Sequence, residues 1–104
     1  MFATIRRYES IDQSRTSELV KKVDESLTPK LSELPGFHGY YLVNAGDGVF
    51  TSVGIFDSAE QAEESTRAAS TWLRDAELGG VLPNKPKVTS GEIVVEKASE
   101  LVQA

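Results

Sequence analysis

The sequence predicts an α+β domain of order β-α-β-β-α-β, a four-stranded antiparallel sheet with its helices on one face. Three observations predict it. The stretch from Leu34 to Phe56 holds two strand-like runs around an Ala45-Gly46-Asp47-Gly48 turn, which reads as a β-hairpin. A helical pattern precedes this hairpin and another follows it. Runs rich in β-formers stand near both ends of the chain, and short right-handed connections gather all four strands into one sheet.

Phe2 to Tyr8 is the first strand, bounded by the polar Glu9-Ser10. Its alternation puts Phe2, Thr4, Arg6 and Tyr8 on one side and Ala3, Ile5 and Arg7 on the other. From Asp12 the period becomes helical. Asp12 or Ser14 caps, and Leu19, Val20, Val23, Leu27, Leu31 and Leu34 recur at spacings of three and four, while Lys21, Lys22, Asp24 and Glu25 take the wet side. Pro29 interrupts this helix because it lacks an N–H and crowds the preceding turn. Either the helix kinks there, or Thr28 caps a second short helix with Pro29 in its first position. Leu34-Pro35-Gly36 stops it.

Phe37 to Asn44 and Val49 to Phe56 are the hairpin strands. Pairing Asn44 with Val49 sets Phe37 opposite Phe56, Gly39 opposite Gly54, Tyr41 opposite Ser52 and Val43 opposite Phe50. His38, Tyr40, Leu42, Val49, Thr51, Val53 and Ile55 then share the other face. Asp57-Ser58-Ala59-Glu60-Gln61 is a helix start with a capping box. Ala59, Ala62, Thr66, Ala69, Leu73 and Ala76 form its inward stripe, small enough to let the helix lie close on the sheet. Gly79-Gly80 ends it, a loop through Pro83 and Pro86 follows, and the last strand is Val88 to Lys97. One domain spans residues 1–97, and residues 98–104 are a frayed tail.

Composition excludes several classes of function. Sixteen acidic residues against eleven basic ones give a formal charge of −5, which opposes binding to nucleic acid and to anionic membranes. The chain has no cysteine, hence no disulfide and no thiolate chemistry, and no carboxylate or histidine cluster has metal-ligand spacing. Nothing approaches the roughly 20 apolar residues of a membrane span, and the first residues lack the apolar run of a signal peptide. A cytoplasmic protein without metal or cofactor is expected.

The order of elements is that of the ferredoxin-like sandwich, in which one sheet face is left bare. A chain this small must make that face polar or cover it, and a second copy is the usual cover. Leu34-Pro35-Gly36-Phe37-His38-Gly39-Tyr40, the strand ending in Phe56-Asp57 and the helix opening Ser58-Ala59-Glu60-Gln61-Ala62 resemble the antibiotic biosynthesis monooxygenase-like proteins, over nearly the whole chain. The resemblance implies a homodimeric α+β barrel in which two such sheets face each other. It also implies a range of activities: cofactor-independent oxygenases of aromatic polyketides and quinols, haem-degrading members, isomerases, and proteins of unassigned role. Haem-degrading members share an Asn on the first strand, where this chain carries Thr4 and Arg6.

Two hairpin faces compete for the cavity. The set Leu42, Val49, Val53 and Ile55 is aliphatic and suits packing on the first helix. The set Phe37, Gly39, Tyr41, Phe50, Ser52, Gly54 and Phe56 places aromatic rims around a strip of glycine and serine, which leaves space. This second set is assigned to the barrel interior together with Phe2, Thr4, Arg6 and Tyr8, and Trp72 is placed at its wall. The alternative is that the glycines let the alanine-rich helix pack closely, which inverts the assignment. A guanidinium at Arg6 among Tyr8, Tyr41, Phe50 and Phe56 suits a small aromatic, partly anionic ligand. The plainer reading of Arg6 is an ion pair with Glu92 or Glu96. Tyr8 and Tyr41 are candidate proton donors, or else packing and dimer contacts. His38 is the sole histidine and the default base near neutral pH, yet its strand position reads better as a cap or packing group against the first helix. Asn44 and Asn84 stand beside turn residues, where backbone reasons account for them. The expected function is a small-molecule-binding barrel that oxidises an aromatic or quinol-like substrate without a cofactor. Its rivals are a non-catalytic ligand-binding or stress-response barrel and a structural partner of a neighbouring enzyme.

Overall fold

The computed structural model describes residues 1–76, 78, 81 and 85–97. Four antiparallel strands, β1 (Phe2–Tyr8), β2 (Phe37–Gly46), β3 (Val49–Phe56) and β4 (Lys87–Glu92), form one sheet in the order β2-β3-β1-β4. The helical segments α1 (Thr16–Lys22), α2 (Thr28–Ser32) and α3 (Ala59–Asp75) cover one face of it. This is the expected ferredoxin-like α+β architecture. Gly79, Gly80, Pro83, Asn84 and the tail 98–104 lie outside the described residues. The last strand ends at Glu92 rather than Lys97 for lack of a partner. Glu92 pairs with Phe2, the Ile93 N–H donates to the Met1 carbonyl at 2.8 Å, and β1 has nothing further to offer.

Neither expectation for Pro29 holds as stated. A 3₁₀ turn (Gln13–Arg15), capped by the Asp12 carboxylate accepting from the Ser14 N–H, leads into α1, and a π-turn over Val23–Leu27 joins α1 to α2 with helical dihedrals throughout. Pro29 removes one backbone donor, and the chain answers by widening. The Thr28 N–H reaches back to the Val23 carbonyl, and the Thr28 hydroxyl donates to the Asp24 carbonyl at 2.7 Å. The result is one continuous arm whose Leu19, Val23, Leu27 and Leu31 are buried, while Val20, expected on that stripe, is 46 % exposed. Gly36 follows the arm with φ +76°, and a Cβ there would run into the side chain of Gln61, so the Pro35-Gly36 step requires glycine.

The hairpin closes through Asp47 and Gly48, both with positive φ, with Gly46 opposite Val49. Such a two-residue turn matches the twist of the strands it joins. Gly48 also lets the chain after β1 come close, because the Ile11 N–H donates to its carbonyl at 3.0 Å. Two irregularities in β2 then decide the faces. Asn44 pairs with Phe50, so Ala45 is an extra residue, and a second shift lies between Phe37 and Gly39. Phe37 does face Phe56, in an edge-to-face contact with centroids 5.7 Å apart. The expected pairs of Gly39, Tyr41 and Val43 do not form: Tyr40 faces Gly54, Leu42 faces Ser52, and Tyr41 faces Val53. One extra residue exchanges the faces of a strand.

That exchange also overturns the cavity assignment. Thr4, Arg6, Tyr8, Phe50, Ser52 and Phe56 are buried beneath the helices, with Tyr40 and Leu42 partly buried beside them, and they do not line a bare sheet face. Ile5, Tyr41 and Val43 are the large apolar side chains that the bare face exposes; Val88, opposite Arg6, is exposed on the other face of the edge strand. Of the alternative stated for the glycines only the inversion is realised: Gly54 is buried, but a Cβ on it would press on the Phe56 ring at 3.3 Å and on Thr4 at 3.5 Å rather than on the alanine-rich helix. α3 starts as expected, with the Ser58 hydroxyl accepting from the Gln61 N–H. Its buried residues are Ala62, Ser65, Ala69 and Trp72, so the stripe includes Trp72 and leaves Ala59 out.

A candidate site beneath the helical arm

Between the arm and the hairpin runs a channel in three parts. The innermost is a slot of about 20 Å³ floored by Arg6, Tyr8 and Tyr40 and walled by Phe50, Trp72 and aliphatic side chains of the arm. It shares Val23, Tyr40, Leu42 and Phe50 with a hollow of about 330 Å³ that reaches Lys21, Asp24 and Asn44. Val20, Lys21 and Asn44 continue into an outer hollow of about 370 Å³ that also borders Thr16 and Ser17. The middle and outer parts each have the volume usual for a small-molecule site, and the slot does not.

Arg6 dominates the inner end. The central position of β1 in the sheet carries its side chain under α3, where it is 2 % exposed. Its Nε donates to the Ser52 hydroxyl at 3.1 Å and its Nη1 to the Ser65 carbonyl at 3.4 Å. Among the described residues no carboxylate pairs with it. The ion pair read for it in the sequence is absent on both counts: Glu92 sits opposite Phe2, and Glu96 lies beyond the end of β4. Removing a guanidinium from water costs several kcal/mol, and two neutral acceptors return only part of that. The slot therefore presents an undercompensated positive charge beside an opening, which is the electrostatic signature of an anion-seeking site.

Two phenols flank that charge. Burial raises the pKa of Tyr8 above its ordinary value of 10.0, with Arg6 pulling it back, and burial raises Tyr40 in the same way, opposed by Arg6 and Ser52. Both hydroxyls stay protonated at neutral pH and can donate to a bound oxygen; neither can act there as a base. Trp72 closes one side. Its indole Nε1–H donates to the Ser26 hydroxyl at 2.8 Å, so the π-turn that answers Pro29 also holds the ring of the pocket wall.

Of the residues singled out in the sequence, Arg6, Tyr8, Phe50 and Trp72 meet at the slot, and Ser52 binds Arg6. Thr4 lies deeper under α3, linked to the hydroxyls of Thr66 and Ser90, and Phe2 and Phe56 pack at the far end of β1. Tyr41 is 62 % exposed on the bare face. His38 is exposed, and its hydrogen-bond partner is the Asp57 carboxylate rather than the first helix, which ties the start of β2 to the loop before α3. Sequence reasoning missed Tyr40, Ser65 and Ser26. Tyr40 carries no signal apart from its neighbour Tyr41, because only the Ala45 bulge tells the two apart.

No family model matches the chain, and no curated protein does. Solved structures do. A protein of unknown function from Nitrosomonas europaea superposes with a TM-score of 0.74 at 16 % identity, over 94 % of this chain and 93 % of that one. A monooxygenase of Streptomyces coelicolor, ActVA-Orf6, crystallised with the ligand nanaomycin D, gives 0.72 at 19 % identity, over 94 % and 91 %. A Bordetella bronchiseptica protein provisionally named an antibiotic biosynthesis monooxygenase gives 0.73 at 16 % identity, over 90 % and 97 %. At these identities the likeness is one of fold.

Proposed function

We propose that this chain, which has the fold of the antibiotic biosynthesis monooxygenase-like proteins, binds a small aromatic molecule bearing an acidic phenolic or enolic oxygen between its helical arm and its hairpin. One observation carries the reading: the guanidinium of Arg6 is buried, with no carboxylate paired to it among the described residues, at the inner end of the channel between two protonated phenols. The aromatic body occupies the 330 Å³ hollow against Phe50, Leu42 and Val23, and its charged oxygen enters the slot, where Arg6 and the hydroxyls of Tyr8 and Tyr40 donate to it. A slot with room for little more than one atom admits the oxygen and excludes the ring.

The same arrangement favours oxidation by dioxygen, the reaction class that the name of the Streptomyces neighbour suggests. Holding the ligand as its anion raises its electron-donating power, and the apolar walls keep water from the reacting carbon. In a ring methylene flanked by phenolic rings, one atom of dioxygen becomes the new carbonyl oxygen; the other leaves as water with the two methylene hydrogens. Among the described residues the slot lining contains no histidine or carboxylate, so the ligand enters already ionised. The bare sheet face, with Ile5, Tyr41 and Val43 exposed, is the surface on which a second copy packs.

The test follows the tryptophan. Trp72 is the sole tryptophan and lines the slot, so its emission reports occupancy. Titrating 1,5-dihydroxynaphthalene and hydroxylated anthrones while recording dissolved oxygen should show quenching that Arg6→Met weakens at least about tenfold, together with oxygen uptake. Quenching without uptake removes the oxygenase and leaves a binding protein, the second reading. No quenching by any acidic phenol overturns the proposal.

A further inference from the structure

The channel does not end where the aromatic body ends. Beyond the middle hollow lies the outer one of about 370 Å³, and Lys21 borders both. Lys21 forms no ion pair among the described residues, whereas its neighbour Lys22 is paired with Glu18 at 3.4 Å. Beside it Val20, displaced from the buried stripe, lays an uncovered aliphatic surface along both hollows. Asn44 faces them from the hairpin, its side-chain oxygen already taken by the Gly46 N–H at 2.9 Å, which leaves its amide group to donate. Asp24, the one carboxylate among the described residues of the channel, borders the middle hollow and not the outer rim.

We infer that the outer hollow is a second subsite and that the ligand is two-ended: an aromatic body with its acidic oxygen at Arg6, joined through a short aliphatic chain to a carboxylate held by Lys21 and Asn44. The inference rests on the reading of Arg6 given above and adds the substrate's far end. The polarity along the channel argues for this shape. A buried cation stands at the inner end, a mainly apolar passage that carries the Asp24 carboxylate and the Thr28 hydroxyl on the side of the arm follows, and a solvent-facing cation with an amide donor and an aliphatic shelf closes the rim. A compact phenol uses the first two zones and leaves the third empty. A molecule with an alkanoate tail lays its methylenes on Val20 and sets its charge beside Lys21.

Three probes separate the possibilities, each read by Trp72 quenching in the full chain: 1,5-dihydroxynaphthalene, the same ring system carrying a propanoate on one oxygen, and the corresponding propanamide. The acid should bind about three- to fivefold more tightly than the amide at low salt, the range of a partly exposed ion pair, and added salt should erase the difference. Lys21→Met should bring the ratio of acid to amide to about one. If acid and amide bind the unaltered protein equally, the outer subsite is overturned while the Arg6 reading stands. If the acid keeps its advantage in Lys21→Met, Lys21 is not the group that holds the tail and the inference fails. If none of the three probes quenches Trp72, the reading of Arg6 falls and takes the inference with it.

Discussion

The covered and bare faces of the sheet are built from alternate residues of the same strands, yet they have opposite chemistry. Under the helices Thr4, Arg6, Tyr8, Ser52 and Phe50 place hydroxyls, a cation and an aromatic ring in a dry space. Across the same backbone Ile5, Tyr41 and Val43 stand in water, with Arg7 and Lys87 among them. By composition alone the polar set would be taken for the surface. The structure teaches that burial here follows which face the arm covers, and that polar groups are retained beneath it because they hold one another and Arg6.

The sharpest way to break this comparison is a pair of truncations. Phe50→Ala, on the covered face, should cost about 3–5 kcal/mol in a urea denaturation, since it empties a packed core position. Tyr41→Ala should change the stability of the single chain by no more than about 0.5 kcal/mol, and Tyr41→Asp should shift sedimentation towards the monomer if a second copy packs on the bare face. Equal costs on the two faces would contradict the assignment.

Arg6→Met asks a different question of the covered face. Ligand affinity should fall by about 2 kcal/mol, the value of charge-assisted hydrogen bonds. Fold stability should stay within about 1 kcal/mol, because relief of the cation's desolvation offsets its two lost bonds. A large loss of stability would mean that Arg6 is a structural pillar. Tyr41→Phe should leave affinity where it was.

Ser26→Ala leaves the indole N–H of Trp72 without its partner, and about 1 kcal/mol of stability should be lost together with a shift of the emission maximum. An unmoved spectrum would separate the π-turn from the pocket wall.

The smallest effect is one of pH. Tyr8 and Tyr40 have folded-state pKa values raised above 10.0 by burial. Above that pH the unfolded chain loses these protons first, so it binds fewer than the folded chain and stability must fall as pH rises further. Below it the two states are protonated alike and the tyrosines add no slope. Stability measured between pH 9 and 11 (about one unit either side of the ordinary value) should decline, and Tyr8→Phe should flatten the decline. A decline unchanged in the variant would trace it to other groups.

Much was determined by the sequence alone. The alternation of Phe2 to Tyr8, the spacing of Leu19, Val23, Leu27 and Leu31, the Asp47-Gly48 turn and the Ser58 cap each act within a few residues, and together they specify the element order and hence the sheet. The cluster of Arg6, Tyr8, Phe50, Ser52 and Trp72 was also legible, because residues two apart on a strand share a face whichever way that face turns. Only the tertiary structure decided which way it turns. The Ala45 bulge exchanges Tyr40 for Tyr41, and covering by the arm turns the supposed barrel lining into a slot beneath helices. A bulge is an insertion of one residue into a ladder. Its position depends on twist and packing summed over the whole sheet, so the residues beside it carry no local mark of it.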